Sequence, residues 1–143
     1  MTALKYRTCL LSLLLIAAPV QAALGQAKEF EGAWLEDGSS CADVFVATRG
    51  VLAFKRPANA FTSAFIIRGK RITTPMASCE LIRVERRGDR QALQMSCATS
   101  IAVDRAHAFV AMRGPDRLAR FSAGESGLAT EYQRCTAETL KAP

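Results

Sequence analysis

The stretch Arg83-Val-Glu-Arg-Arg-Gly-Asp-Arg-Gln-Ala-Leu-Gln-Met-Ser-Cys-Ala-Thr-Ser-Ile-Ala-Val103 decides the fold class. Its second half alternates with period two. Leu93, Met95, Cys97, Thr99, Ile101 and Val103 fall on one side, and Ala92, Gln94, Ser96, Ala98, Ser100 and Ala102 on the other. Successive side chains of an extended backbone point to opposite faces, so this is the pattern of a strand with one face buried. Gly88-Asp89 just upstream is a hairpin signal, glycine supplying the positive φ that a tight turn needs. The stretch therefore predicts a long β-hairpin, with arms over 77–86 and 90–103 and a cysteine on its inward face.

Outward from this hairpin the same reading repeats. Strands are expected over 30–35, 41–48, 51–54, 61–68, 71–74, 108–112 and 118–121, with Asp104-Arg105 reversing the chain after the central hairpin. Turn residues separate them: Asp37-Gly38-Ser39-Ser40, Arg49-Gly50, Arg68-Gly69-Lys70 and Arg113-Gly114-Pro115-Asp116. Pro57 and Asn59 break the pattern after Phe54, since proline has no ladder donor and asparagine favours turns. The tail differs. Leu128, Tyr132 and Cys135 recur at i, i+4, i+7, and Thr130-x-x-Gln133 fits a capping box, so 130–140 is read as a short helix. A last strand over 129–134 is the alternative. The expected fold is all-β: a small antiparallel β-barrel or sandwich of about seven to nine strands with a short C-terminal helix.

The N-terminus points to export. Lys5 and Arg7 precede an apolar run from Cys9 to Val20, and Val20-Gln21-Ala22 offers small residues at a cleavage site. This is the pattern of a signal peptide over 1–22, and the run is too short to span a bilayer comfortably. The remainder, 23–143, is expected to be a single β-rich domain, periplasmic or secreted, with no stable membrane insertion after cleavage. Tyr6-Arg7-Thr8 before Cys9 is not a lipoprotein box.

Beyond the signal peptide four cysteines remain: Cys41, Cys79, Cys97 and Cys135. An even count in an exported chain reads as two disulfides. With one histidine, His107, and no C-x-x-C, no metal site is expected. Register bears on the pairing. With Gly88-Asp89 as a two-residue turn, Val84 faces Leu93 and Ile82 faces Met95, stacking apolar on apolar. That register places Cys79 and Cys97 on opposite faces and argues against a bridge between them. The preferred pairing is Cys41–Cys79 with Cys97–Cys135; Cys41–Cys97 with Cys79–Cys135 is the alternative.

The whole chain carries a formal charge of +6. Ten of its basic residues lie between Arg49 and Arg90, against the acids Glu80, Glu85 and Asp89. A basic middle suits an anionic partner such as lipid head groups, an acidic protein or a cell-wall polymer, though charged turns and edge strands produce the same pattern. Nucleic acid is disfavoured by the compartment. Phe54, Lys55, Arg56, Phe61, Arg68, Lys70 and Arg71 form a candidate binding surface, in which aromatic groups bracket the Pro57 break and lie between basic pairs. The catalytic inventory is short: no nucleophile elbow, no phosphate loop, no singled-out carboxylate pair. No enzyme and no cofactor are expected.

Gly32-Ala33-Trp34 near the start of the exported chain, followed by Cys41, resembles the first strands of two groups of small exported barrels. In the lipocalin-like set a G-x-W motif places the tryptophan at the barrel base. In the periplasmic metalloprotease inhibitors a G-x-W strand leads into a cysteine-bearing strand; that group typically has one disulfide, whereas two are expected here. The resemblance covers about fifteen residues. It implies a binding or inhibitory module presenting loops to an extracytoplasmic protein, with a filled interior. The alternative is a carrier of a small anionic or apolar ligand, its cavity lined from Phe54, Phe65, Met95 and Phe109 with basic residues at the mouth. A structural envelope protein is a further alternative.

Overall fold

The computed structural model describes residues 27–141; the signal peptide expected over 1–22 lies outside them. The strands are β1 (Gly32–Glu36), β2 (Phe45–Thr48), β3 (Val51–Phe54), β4 (Ala64–Arg68), β5 (Arg71–Thr73), β6 (Ser78–Arg87), β7 (Arg90–Ala98), β8 (Val103–Met112), β9 (Arg117–Phe121) and β10 (Ala129–Cys135). Eight of them close an antiparallel barrel in the order β1-β10-β9-β8-β7-β6-β5-β4, and β2–β3 form a separate hairpin. One helical turn, α1 (Cys41–Val44), precedes β2, and a 3₁₀ turn, Lys28–Phe30, precedes β1. Among the described residues no helix is long and apolar enough to cross a membrane.

Two apolar layers follow from the alternation. The inward faces gather Trp34, Ile67, Ile72, Leu81, Val84, Leu93, Val110, Leu118 and Tyr132. The outward faces of β1 and β4 do not meet water. Leu35, Ala64 and Ile66 are covered by Cys41, Phe45 and Leu52 from α1 and the β2–β3 hairpin, and by Cys135. This covering explains why β1 reads as a nearly continuous apolar run.

One end of the barrel is closed. Trp34 is fully buried, and its indole N–H donates to Phe30 O at 2.8 Å, which pins the 3₁₀ turn across the opening. Arg134 of β10 stacks its guanidinium 4.2 Å from the Trp34 ring centroid and donates to the carbonyl oxygens of Glu31 and Pro115. Gly32 makes room for it: a Cβ there would lie 2.5 Å from Nη1 of Arg134, and its φ of +137° is one that side chains avoid.

The central hairpin follows the expected register only in part. Arg87↔Arg90, Arg86↔Gln91 and Val84↔Leu93 pair as the Gly88-Asp89 turn dictates. At Ile82 a bulge intervenes, and beyond it Leu81 faces Met95 and Cys79 faces Cys97. A bulge inserts one residue into one strand and so swaps the faces of everything beyond it. Ile82 is left on the outside, 60% exposed. The expected pairing of the cysteines is therefore corrected. The bridges are Cys79–Cys97 and Cys41–Cys135, not Cys41–Cys79 with Cys97–Cys135. Two such bridges belong to an oxidising, extracytoplasmic environment.

Three other segments also depart from expectation; in the first, Cys41–Val44, expected to open a strand over 41–48, forms the helical turn α1. β7 ends at Ala98, and the reversal comes at Thr99–Ala102, not at Asp104-Arg105. The Thr99 hydroxyl accepts the N–H groups of Ile101 and Ala102, a side-chain turn that competes with continued pairing. The segment read as a C-terminal helix forms β10 up to Cys135, in line with the alternative strand. Helical character is confined to one turn beyond it, where the Leu140 N–H reaches Thr136 O at 3.2 Å. The barrel seam, with β1 on one side and β9 on the other, outweighs the local i, i+4 pattern.

Two outcomes are expected in urea unfolding followed by the fluorescence of Trp34, the chain's single tryptophan. Gly32→Ala destabilises the oxidised protein by about 1–3 kcal/mol, through a strained φ and displacement of Arg134. Replacing Cys41 and Cys135 by Ala, which opens a separation of 94 residues, costs about 4–5 kcal/mol, against about 3 for Cys79 and Cys97, which are 18 apart, because the longer loop loses more closure entropy in the unfolded chain.

Candidate ligand cavity

The end opposite Trp34 is open. Four connections meet there: 37–63 between β1 and β4, 74–77, 99–102 and 122–128. Below them lies a cavity of 390 Å3. Its walls are inward-facing residues of the barrel, among them Phe65, Ile72, Leu93, Met95, Ala106 and Ala108. Ala60, Thr62 and the 74–77 turn line its upper part. The Cys79–Cys97 bridge forms part of the wall. Small residues on β8 create the space. Ala106 and Ala108 project inward opposite Met95 and Leu93, where larger side chains would fill the lumen.

One guanidinium stands at the cavity's mouth, where its residue is exposed to solvent. Arg120 of β9 alternates with Leu118, so it points inward, facing Val110 on β8 and Thr130 on β10. It makes no ion pair among the described residues. Tyr132, whose ring packs 5.1 Å from Phe65, contributes a phenol to the same lining. An apolar chamber with one cation and one phenol can take a molecule with an apolar body and one anionic end.

The rim is apolar as well. Phe61, Met76, Ile101, Val103 and Leu128 all lie on or beside the four connections at this end, and they are 96%, 60%, 93%, 72% and 86% exposed. Two of them arise from one device used twice. In Thr74–Ala77 and again in Thr99–Ala102, the threonine Oγ1 accepts the N–H groups of the third and fourth residues. Each turn thereby presents its third residue, Met76 or Ile101, to solvent. Phe61 is presented in a similar way, its N–H held by Asn59 Oδ1 at 2.9 Å.

The candidate surface read from the sequence divides. Phe61 belongs to the rim. Phe54 and the expected lining residue Phe109 do not face the cavity: Phe54 packs on Phe45 outside the barrel, and Phe109 joins Ala111, Ala119 and Phe121 on another outer patch. Phe65 and Met95 do line it. The basic residues expected at the mouth are elsewhere. Arg68, Lys70 and Arg71 surround the β4–β5 turn at the closed end, while Lys55 and Arg56 follow β3, where the Lys55 N–H donates to Val44 O. Arg56, Arg68 and Arg71 are nevertheless brought together, with Phe54, on an outer cleft of 180 Å3. The sequence reading missed Arg120. Its signal was the alternation Leu118, Arg120 on one face, legible only once that face is known to line a lumen.

No family model, no curated protein and no solved structure matches the chain.

Proposed function

We propose that this is an exported, non-catalytic binding module, periplasmic or secreted, whose barrel carries a small anionic amphiphile. The observation that carries this reading is the 390 Å3 apolar cavity with Arg120, which makes no ion pair among the described residues, at its mouth. Pockets for small ligands begin at about 300 Å3 and pair apolar walls with a few placed polar groups. A filled interior would favour a module that acts only through its loops; the lumen here is open at the rim end. The apolar rim supports the same reading, since an apolar ligand would pass residues such as Met76 and Phe61 on its way in. Phe61 on its exposed loop also favours a second reading, in which that loop inserts into the cleft of a protein partner.

Displacement of a fluorescent fatty-acid probe from the oxidised protein separates the two. The carrier reading expects saturable binding of medium-chain carboxylates. Arg120→Gln is expected to weaken them about tenfold while leaving the matching alcohol within about twofold, as loss of one charge-assisted contact predicts. Ala108→Phe is expected to abolish both by filling the lumen, with thermal unfolding checked in parallel. Absence of any probe binding by the folded, unsubstituted protein, together with stoichiometric capture of a protein through Phe61, would reverse the assignment.

A further inference from the structure

Away from the cavity, the outer wall carries a cleft between the β2–β3 hairpin and strands β4–β5. It is lined by Phe54, Arg56, Ile66, Arg68, Arg71 and Thr73, and has a volume of 180 Å3. Three guanidinium groups thus border one small depression, and no acidic residue lines it. None of the three makes an ion pair among the described residues. Two acids stand nearby without lining the cleft: Glu80 is opposite Arg71 on β6, and Glu31 Oε1 accepts the Gly69 N–H at the β4–β5 turn.

The cluster is built into the fold. Arg68 and Arg71 face each other directly across the Gly69-Lys70 turn, a like-charge cross-strand pair that is unfavourable by itself. Arg68 is also held: its Nη2 donates to Leu52 O, which fastens the β2–β3 hairpin to the barrel wall and fixes the side chain at the cleft. The floor is apolar, with Ile66 buried beneath and Phe54 at the side. Thr73 adds a hydroxyl. Such an arrangement concentrates positive potential at one depression of the outer wall, where all three arginines are exposed, and an anion bound there would relieve the Arg68–Arg71 repulsion.

The geometry points to an oxoanion site that binds a phosphate group, separate from the barrel cavity. Guanidinium forks match phosphate oxygens two at a time, and three cations around one depression favour a dianion over a single carboxylate. The cleft is smaller than the pockets that enclose whole drug-sized ligands, so it fits inorganic phosphate or the phosphate end of a larger molecule whose remainder projects into solvent. A free phosphate and a phospholipid head group share this chemistry.

The test uses the oxidised protein, with calorimetric titration of inorganic phosphate and flotation with phosphatidylcholine vesicles with and without phosphatidic acid. Saturable phosphate binding is expected. The double variant Arg56→Gln/Arg71→Gln, which spares the Arg68 bond to the hairpin, is expected to weaken it by at least tenfold, in the range of charge-assisted hydrogen bonds. Arg71→Lys, which keeps the charge and loses the fork, is expected to fall between. Binding in solution without flotation identifies a soluble phosphate ligand; flotation only with phosphatidic acid identifies a head group. Arg120→Gln leaves all of this unchanged, so failure of the cavity reading does not remove the site. Phosphate binding no tighter than acetate, or undiminished in the folded double variant, would overturn the proposal.

Discussion

A guanidinium stacked on an indole holds the closed end of this barrel, and much of the remaining architecture hangs from it. Arg134 comes from the last strand and Trp34 from the first, so their contact lies across the seam where the sheet closes on itself. The same guanidinium gathers the carbonyl oxygens of Glu31 and Pro115, binding the N-terminal turn and the β8–β9 connection to that seam. Cation–π stacking contributes about 0.5–2 kcal/mol, more as water is removed. Its structural effect exceeds that figure, because three chain segments are positioned by one side chain. Gly32 permits the approach, and Phe30 accepts the indole N–H that completes the plug. With one end sealed this way, the space left by Ala106 and Ala108 becomes a chamber with a single mouth.

The sequence displayed the strands clearly and the joints between them poorly. Alternation located the barrel strands because each has one face on the lumen, and the Gly88-Asp89 turn set the near half of the central hairpin. What periodicity cannot reveal is a place where it is interrupted on purpose. β6 and β7 use one register on the turn side of Ile82 and another beyond it, and that shift is what lets Cys79 meet Cys97. The bulge allows Val84 and Leu81 to face inward while Cys79 meets Cys97. Thr99 hid the next reversal in the same way: it continues the alternation in sequence, yet its hydroxyl captures two amides and ends the strand. In the tail, a spacing that suits a helix was overridden by two neighbouring strands lacking partners.

The candidate site was legible in its chemistry more than in its location. Aromatic residues and arginines stand out around Pro57 in the sequence, but an extended chain sends alternate residues to opposite sides, and neighbours in sequence are separated by the barrel wall. Phe54 lies outside and Phe61 at the rim. Arg68 and Arg71 lie on the outer wall, whereas Arg120, on the strand expected over 118–121, faces the mouth of the lumen. Sorting them requires knowing which face of each strand is inner, and that depends on closure of the whole sheet.

The seam has one more consequence. β1 begins and β10 ends at the plugged end, with Ala33 beside Cys135, so the chain enters and leaves the barrel on the side away from the mouth. The chain therefore departs from the sheet, ahead of β1 and after β10, behind the plug. The exposed crown of Phe61, Met76 and Ile101 is then presented outward, oriented by topology alone.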